Sequence, residues 1–252
     1  MQVINVVRPV KKMLIILVAA VVIGYLIFSA SYFRNMSRNK VCESFGVVIA
    51  DSNQYKFVSR QDIMGLVKRY DLDPVGRKFS EINTLSIRDT ILTNRLVESA
   101  EVFITPGGSV VATIYQRKPV LRVISDTKGN FYVDNERRIM PVSGNFTVYV
   151  PVATGIIDEE FARNELYDFA LFLNNHSDWN VWIEQIVVQN NHEVILIPRA
   201  GDFRIVMGDL NDYQAKLAKF ARFVDKGLNV VGWNRYSVIN LKYDNQVVCT
   251  KK

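Results

Sequence analysis

The stretch that decides the fold is Leu96–Leu121, which reads LVESAEVFITPGGSVVATIYQRKPVL. Within it the apolar run Val102–Ile104 leads into Thr105-Pro106-Gly107-Gly108, a sequence typical of a tight turn. A β-branched run, Val110–Tyr115, follows the turn directly. Two β-forming runs that are joined by turn residues predict a β-hairpin.

The chain before the hairpin predicts one strand and two helices. Val41–Ala50 is β-rich, and Ser59 is a suitable N-cap for a short amphipathic helix. Loop residues follow over 70–78, and a second helix is expected from Ile82 until Asn94 ends it. Strand, helix, helix and hairpin together predict a three-stranded sheet that is covered on one face by its two helices.

The chain after the hairpin alternates short strands with two longer helices. Asp158 is expected to cap the first helix, and Asn211 or Asp212 the second, which is expected to end near Gly227. Strands are expected over 120–124, 131–133, 138–140, 148–152, 181–188, 193–197 and 203–207. The alternating segment Tyr236–Val248 predicts a single C-terminal strand.

A long apolar segment, Met13–Phe33, lies near the start of the chain. It carries no charge and would span about 31 Å as a helix, which is close to the hydrocarbon thickness of a bilayer. A transmembrane helix is therefore expected, and representative membrane-spanning residues are Leu14, Ile16, Val22, Leu26 and Phe28. A buried core helix would not need an apolar surface on every side, and a cleaved signal peptide usually has a shorter apolar region.

Basic residues flank this segment on both sides, so charge gives only a weak preference for its orientation. Residues 1–12 form a short tail, which we expect in the cytoplasm, and 34–40 form a juxtamembrane stalk. The long C-terminal part is then exported, with the periplasm as its compartment.

Composition and motifs exclude several classes of function. The net charge of +6 is modest, and no basic block with interleaved aromatic residues suggests nucleic-acid binding. There is no nucleotide-binding glycine motif or nucleophile elbow, and the two histidines, His176 and His192, lack zinc-site spacing. We therefore expect no catalytic residues, no metal, no cofactor and no small-molecule substrate. Cys42 and Cys249 can pair in an oxidising compartment, although two unpaired thiols are favoured.

Several short motifs follow one another after the apolar segment. They are the V-x-x-A-x-V run at Val97–Val102, Gln116-Arg117-Lys118-Pro119, Phe131–Asp134, Val150–Gly155 and Ile239–Asp244. In this order they resemble the FtsQ/DivIB family of bacterial cell-division proteins. The family's usual motif after the hairpin is Glu-Arg-x-Pro, so Gln116 stands where an acid is common. Arg137, Asn240 and Lys242 are further departures from the family pattern.

The resemblance implies an α+β architecture in three parts. A transmembrane helix over 13–33 precedes a POTRA domain (βααββ) over 41–119. A mainly antiparallel β-domain with two packed helices follows over 120–248, and 249–252 form a C-terminal tail. It implies a bitopic inner-membrane scaffold at the division septum, where the β-domain recruits FtsB/FtsL-type coiled-coil partners and the POTRA domain contacts other divisome members.

The last predicted strand is the candidate partner-binding surface. A strand at a sheet edge has unpaired backbone groups that can accept a partner's strand, although a plain core strand is the alternative. The candidate residues are Tyr236, Ile239, Leu241, Lys242, Tyr243 and Val247. Two other functions compete with a scaffold: a membrane-anchored envelope enzyme such as a peptidoglycan hydrolase, and a POTRA-bearing translocation component.

Overall fold

The structure is a computed structural model that describes Met13, residues 16–29 and residues 40–252. Residues 16–29 are helical (α1), and the side chains of Ile16, Val22, Leu26 and Phe28 are exposed on this helix. Leu14 lies outside the described residues. Among the residues that are described, no helix combines the length and the apolar character needed to cross a membrane. The predicted transmembrane helix falls only partly within this range and stays a prediction.

The described chain forms two compact units, and each draws on separate stretches of sequence. The first contains the described residues up to Val48, together with Arg60–Ile91 and Ala100–Ile114. The second contains Ile49–Ser59, Leu92–Ser99 and Tyr115–Lys252. The predicted domain boundaries at 119 and 248 stay predictions.

The N-terminal elements follow the predicted order of strand, helix, helix, strand and strand. They are β1 (Ser44–Ile49), α2 (Arg60–Arg69), α3 (Thr84–Leu92), β2 (Val97–Ile104) and β3 (Ser109–Gln116). The sheet order is β1-β3-β2, so β3 is the central strand. Its alternate residues Val110, Ala112 and Ile114 are fully buried, as period-2 alternation on a half-buried sheet requires.

The predicted hairpin turn forms as its residues require. The backbone N–H of Thr105 donates to the carbonyl oxygen of Ser109 at 2.8 Å, and the N–H of Ser109 donates to Thr105 Oγ1 at 3.2 Å. Gly108 has φ +93°, a backbone conformation that glycine adopts without steric cost. Gly107 and Gly108 therefore serve the turn.

The C-terminal elements build a nine-stranded sheet of order β12-β11-β10-β9-β8-β7-β4-β5-β6. Its strands are β4 (Pro119–Ser125), β5 (Gly129–Asp134), β6 (Ile139–Pro141), β7 (Val152–Gly155), β8 (Ile183–Val188), β9 (Val194–Pro198), β10 (Arg204–Gly208), β11 (Tyr236–Asn240) and β12 (Val248–Lys251). The pairs β4–β7, β7–β8 and β10–β11 are parallel, and the others are antiparallel. The α+β class is confirmed, and the sheet is more mixed than predicted.

Helices cover this sheet, and they contribute many residues of one continuous hydrophobic core. They are α4 (Glu159–Arg163), α5 (Glu165–Asn175), α6 (Ser177–Trp182), α7 (Tyr213–Phe223), a π-helical turn (Val224–Leu228) and α8 (Asn229–Val231). The predicted cap is present, because Asp158 Oδ1 accepts a hydrogen bond from the N–H of Phe161 at 2.8 Å.

Several predicted boundaries were wrong. The strand expected over 148–152 begins only at Val152, and α6, which was not predicted, replaces the first residues of the strand expected from 181. The first long helix breaks at Asn164, whose φ of −111° and ψ of −98° are not helical. Asp212 precedes α7 without a side-chain capping bond, and the chain leaves the last helix at Gly232, with φ +96°, rather than at Gly227.

A buried glutamine ties residues 49–59 to the rest of the second unit. Gln116 Nε2 donates to Asp51 Oδ1 at 2.9 Å and to the carbonyl oxygen of Tyr55 at 2.8 Å. Gln116 Oε1 accepts the N–H of Val58 at 2.9 Å, and Asp51 Oδ2 accepts the backbone N–H of Gln116 at 2.9 Å. Gln116 stands where the family usually has an acid, and in this chain the carboxylate is supplied by its hydrogen-bond partner, Asp51.

The next residue makes a buried ion pair. Arg117 Nη1 lies 2.9 Å from Asp134 Oδ2, and both side chains are largely removed from solvent. The other carboxylate oxygen of Asp134 accepts the N–H groups of Glu136 and Arg138, at 2.9 and 2.8 Å. Because both oxygens of this carboxylate accept hydrogen bonds, Asp134 fixes the turn between β5 and β6.

Candidate partner-binding surface

The segment predicted as one terminal strand is two strands. β11 ends at Asn240, whose Oδ1 accepts the backbone N–H of Lys242 at 2.9 Å, and Asn245 adopts φ +57°. These two local turns reverse the chain, so β12 returns antiparallel to β11 and is the outermost strand of the sheet. The exposed edge is therefore β12, whereas β11 is held between β10 and β12.

Two of the six candidate residues have side chains in the core. Ile239 and Leu241 are fully buried, and the N–H of Leu241 donates to the carbonyl oxygen of Val206 at 2.8 Å. Their side chains have no surface to offer a partner, so a substitution at either position would act through folding.

The other four candidates lie closer to the surface. Tyr236 is half-buried, with its ring centroid 6.1 Å from that of Phe223, and Val247 packs at the margin of the core. Lys242 and Tyr243 are exposed, and Tyr243 keeps 50% of its surface accessible. Among the six, Lys242 and Tyr243 are the side chains best placed to contact a partner, and that contact stays a prediction.

Helix α7 holds the loop that joins β11 to β12. Lys219 Nζ donates to the carbonyl oxygen of Leu241 at 2.9 Å and also to that of Tyr243. Burial of the ammonium group lowers the pKa of Lys219, and the nearby carboxylate of Asp244 acts in the opposite direction. One lysine thus fixes the position of the loop against the helix.

Two further ion pairs flank the same loop. Lys216 Nζ lies 2.7 Å from Asp209 Oδ1, and this hydrogen bond lowers the pKa of Asp209. Lys242 Nζ lies 2.8 Å from Glu193 Oε1, and that hydrogen bond raises the pKa of Lys242. These pairs are partly or largely exposed, so solvent screening leaves each with little effect on stability.

Beside this loop is a groove of about 880 Å³. Its lining is mostly charged or polar and consists of Asp209, Asn211, Asp212, Ala215, Lys216, Lys219, Arg222, Phe223, Lys242, Asp244, Asn245 and Val247. The sequence predicted Lys242 and Val247 here, but it missed Lys216, Lys219 and Arg222. Their spacing along one flank of the predicted amphipathic helix was the available signal.

The backbone of β12 has an inner and an outer side. The N–H of Lys252 donates to the carbonyl oxygen of Arg235, so this N–H group lies on the inner side of the strand. Alternate residues of an edge strand turn their N–H groups to opposite sides. The N–H groups of Val248 and Thr250 therefore face β11, and those of Cys249 and Lys251 face outward. The extra residue of the β-bulge lies on β11, so this alternation continues along β12.

The cysteines and histidines, the remaining candidates for chemistry, make contacts that are typical of a structural role. The two cysteines are unpaired, and burial raises the pKa of the Cys249 thiol. His176 stacks on Phe172, and His192 stacks on Phe161 while its Nε2 lies 2.7 Å from Asp158 Oδ2. In the described ranges, no group of three or more His, Cys, Asp or Glu side chains is placed to hold a metal ion.

Comparison with known families gives two matches along the chain. Residues 40–115 match a POTRA-like domain, and residues 118–250 match the family described as FtsQ/DivIB, C-terminal related. The second match alone covers more than half of the chain. A comparison with curated proteins found no match. The order of the two domains agrees with the motifs quoted above, and the chain belongs to the FtsQ/DivIB family of cell-division proteins.

Proposed function

We propose that this chain is a bitopic scaffold of the division complex, anchored in the inner membrane by Met13–Phe33. Its short N-terminal tail lies in the cytoplasm, and its two folded units lie in the periplasm at the septum. The uncharged apolar segment and the family membership support this arrangement. The scaffold acts by binding, and it catalyses no reaction.

The scaffold captures an FtsB/FtsL-type partner by strand addition at β12. The observation that carries this proposal is the position of β12 at the edge of the nine-stranded sheet. The outward N–H groups of Cys249 and Lys251, together with the C=O of Cys249, supply main-chain hydrogen bonds to an incoming strand. Lys242 and Tyr243, on the preceding loop, supply side-chain contacts.

Arg222 adds a charge that suits an acidic side chain of the partner. Among the described residues, the guanidinium group makes one long hydrogen bond, from Nε to the carbonyl oxygen of Ala218 on the same helix at 3.4 Å. The guanidinium group therefore keeps donors for a carboxylate beside the captured strand. The POTRA-like domain contacts other divisome members.

Lys251→Pro tests strand addition directly. Proline removes an outward N–H and leaves the inner hydrogen bonds to β11, which is the arrangement that edge strands tolerate. Lys251→Ala is the matched control, because it removes the same side chain and keeps the N–H. We expect the full chain with Lys251→Pro to retain an FtsB/FtsL-type partner about fivefold to thirtyfold more weakly in pull-down, from the loss of one or two hydrogen bonds. Equal retention by the two variants would contradict strand addition.

Membrane topology is tested separately. A reporter enzyme that is active only outside the cytoplasm, fused after Lys252, is expected to be active. A matched fusion that lacks residues 13–33 is expected to be inactive. Activity only from a reporter that needs the cytoplasm would refute the proposed orientation.

A further inference from the structure

The three tryptophans of the chain lie together, although Trp233 is about 50 residues from Trp179 and Trp182 in sequence. The ring centroids of Trp182 and Trp233 are 5.2 Å apart, and Trp182 lies 5.9 Å from Phe220. Trp179 lies 6.4 Å from the same phenylalanine. Trp179 and Trp182 are three residues apart on α6, so they share one helix face.

This cluster forms an apolar groove between α6 and α7 with a volume of about 270 Å³. Its lining residues are Asp178, Trp179, Trp182, Phe220, Ala221 and Val224. Phe220 is buried and forms the floor, while Ala221 is exposed and leaves the groove open on the α7 side. Large aromatic walls around an apolar floor are the composition typical of the centre of a protein interface.

Two exposed valines lie close in sequence to the tryptophans. Val181 on α6 is 66% exposed and Val230 on α8 is 77% exposed, although β-branched residues are poor helix formers. The side chain of Val181 is therefore accessible to a molecule that binds on α6.

The groove also has polar groups without partners. Within the described part of the chain, neither the indole N–H of Trp179 nor that of Trp182 makes a hydrogen bond, whereas Trp233 Nε1 donates to Asn229 Oδ1 at 3.1 Å. Asp178 likewise forms no ion pair with another described residue. An occupant of this groove thus meets the unpaired carboxylate of Asp178 at its rim.

We propose that this groove binds an amphipathic helix of a partner protein, with apolar side chains at i and i+3 or i+4 and a lysine or arginine that pairs with Asp178. Its volume of about 270 Å³ has room for a few apolar side chains. Its acidic rim repels anionic lipid headgroups and attracts a basic residue. A helix laid between α6 and α7 presents its side chains at the required spacing.

The helix-binding groove is distinct from the edge at β12. The two linings share no residue: Ala221 and Val224 line the helix-binding groove, whereas Lys219 and Arg222 line the groove beside the β11–β12 loop. The protein can therefore bind a strand at β12 and a helix at this groove at the same time. This second interaction goes beyond the strand capture proposed above.

Photo-crosslinking in the cell tests the proposal with the full chain. Val181 is replaced by p-benzoylphenylalanine, and the crosslinked residue of the captured protein is mapped by mass spectrometry. We expect the adduct to lie in a helical segment that carries apolar residues at the stated spacing and at least one lysine or arginine. No protein adduct, adducts with lipid alone, or an adduct in an extended or acidic segment would overturn the proposal.

Two charged substitutions on α7 make a matched pair. Ala221→Arg fills the groove and is expected to lower the crosslink yield about tenfold, as loss of interface hot spots does. Ala218→Arg places the same side chain on an exposed position outside the groove and should leave the yield unchanged. Equal yields from the two variants would refute binding in the groove.

The acidic rim is tested by charge exchange. Asp178→Lys is expected to lower the yield roughly twofold to fivefold, and reversal of the partner's mapped basic residue should restore it. Glu184→Lys is the control for charge alone. Fluorescence of the three tryptophans reports whether each variant is folded. Lys251→Pro should not change the yield, and a parallel loss would show that the two surfaces are one.

Discussion

Gln116→Glu restores the acid that is common in this family, and we predict that it destabilises this chain. The change removes the Nε2 group, which donates to Asp51 Oδ1 at 2.9 Å and to the carbonyl oxygen of Tyr55 at 2.8 Å. It also places a second carboxylate against Asp51 in a fully buried position. The introduced carboxylate can still accept the N–H of Val58. The change in stability therefore reports the two lost donor bonds and the added charge.

The magnitude follows from these contacts. Each lost hydrogen bond contributes about 1 kcal/mol to the free energy of unfolding, and the acceptors left behind add to this cost. Repulsion between the carboxylates is limited by protonation, since a pKa raised by one unit corresponds to about 1.4 kcal/mol. The total is about 3–5 kcal/mol at pH 7, or a fall of about 6–20 °C in Tm for a unit of this size.

The loss of stability caused by Gln116→Glu should grow as pH rises. The folded-state pKa of the introduced carboxyl lies above its unfolded value of about 4.3, because Asp51 and burial disfavour its charged form. The variant is therefore least destabilised below that value, and its deficit grows as pH rises through the folded-state pKa. The gap between the variant and the natural protein should narrow from pH 7 to pH 5.

Thermal unfolding of residues 40–252, followed by tryptophan fluorescence, measures the effect, because all three tryptophans belong to the second unit. Asp51→Asn in the same chain replaces the repulsion by an N–H···O hydrogen bond and should recover roughly half of the loss. Asp51→Asn alone is the control and should lower Tm slightly. The reasoning fails if Gln116→Glu unfolds like the natural protein, or if Asp51→Asn gives no recovery.

Three other perturbations have clear outcomes. Arg117→Met strands the buried carboxylate of Asp134 and should cost about 3–5 kcal/mol in urea unfolding, whereas Lys118→Met should cost little. Gly155→Ala should cost about 2–4 kcal/mol by the same assay, since its φ is +108° and a Cβ would lie 2.2 Å from the carbonyl oxygen of Val188. The capping bond lowers the pKa of Asp158, first through the N–H of Phe161, so its stabilisation is present above pH 3.8 and is lost as pH falls below that value. Asp158→Asn should keep the cap. The urea midpoint of this variant should change less between pH 5 and pH 2.5 than that of the natural protein.

The parts of the fold that were predictable are those with local causes. The hairpin around Thr105–Gly108 follows from turn chemistry, and the cap at Asp158 follows from its side chain and the helix that it precedes. The break at Asn164 was not predictable, because an amphipathic pattern continues through it. The parallel pairing of β10 with β11 joins strands far apart in sequence, so alternation alone could not assign the sheet order.

The candidate surface was predicted only in part, for the same reason. Alternation over Tyr236–Val248 gave the correct strand-forming character but did not show the reversal between Asn240 and Val248, which moves the edge to β12. Which side chains remained exposed depended on that reversal. The tryptophan groove was not predicted, because its walls come from α6 and α7, and α6 itself carried no clear helical pattern.

The discontinuous make-up of the second unit has a practical consequence for dissecting the protein. A fragment cut at the start of the family match at residue 118 would lose Phe57, a buried ring whose centroid lies 6.2 Å from that of Tyr132, and would uncover the apolar surface on which it rests. Such a truncation is expected to aggregate, and its failure to bind would say nothing about the binding edge. Any excised piece should begin before Ile49, so that it keeps Ile49–Ser59 and Leu92–Ser99, which belong to the second unit.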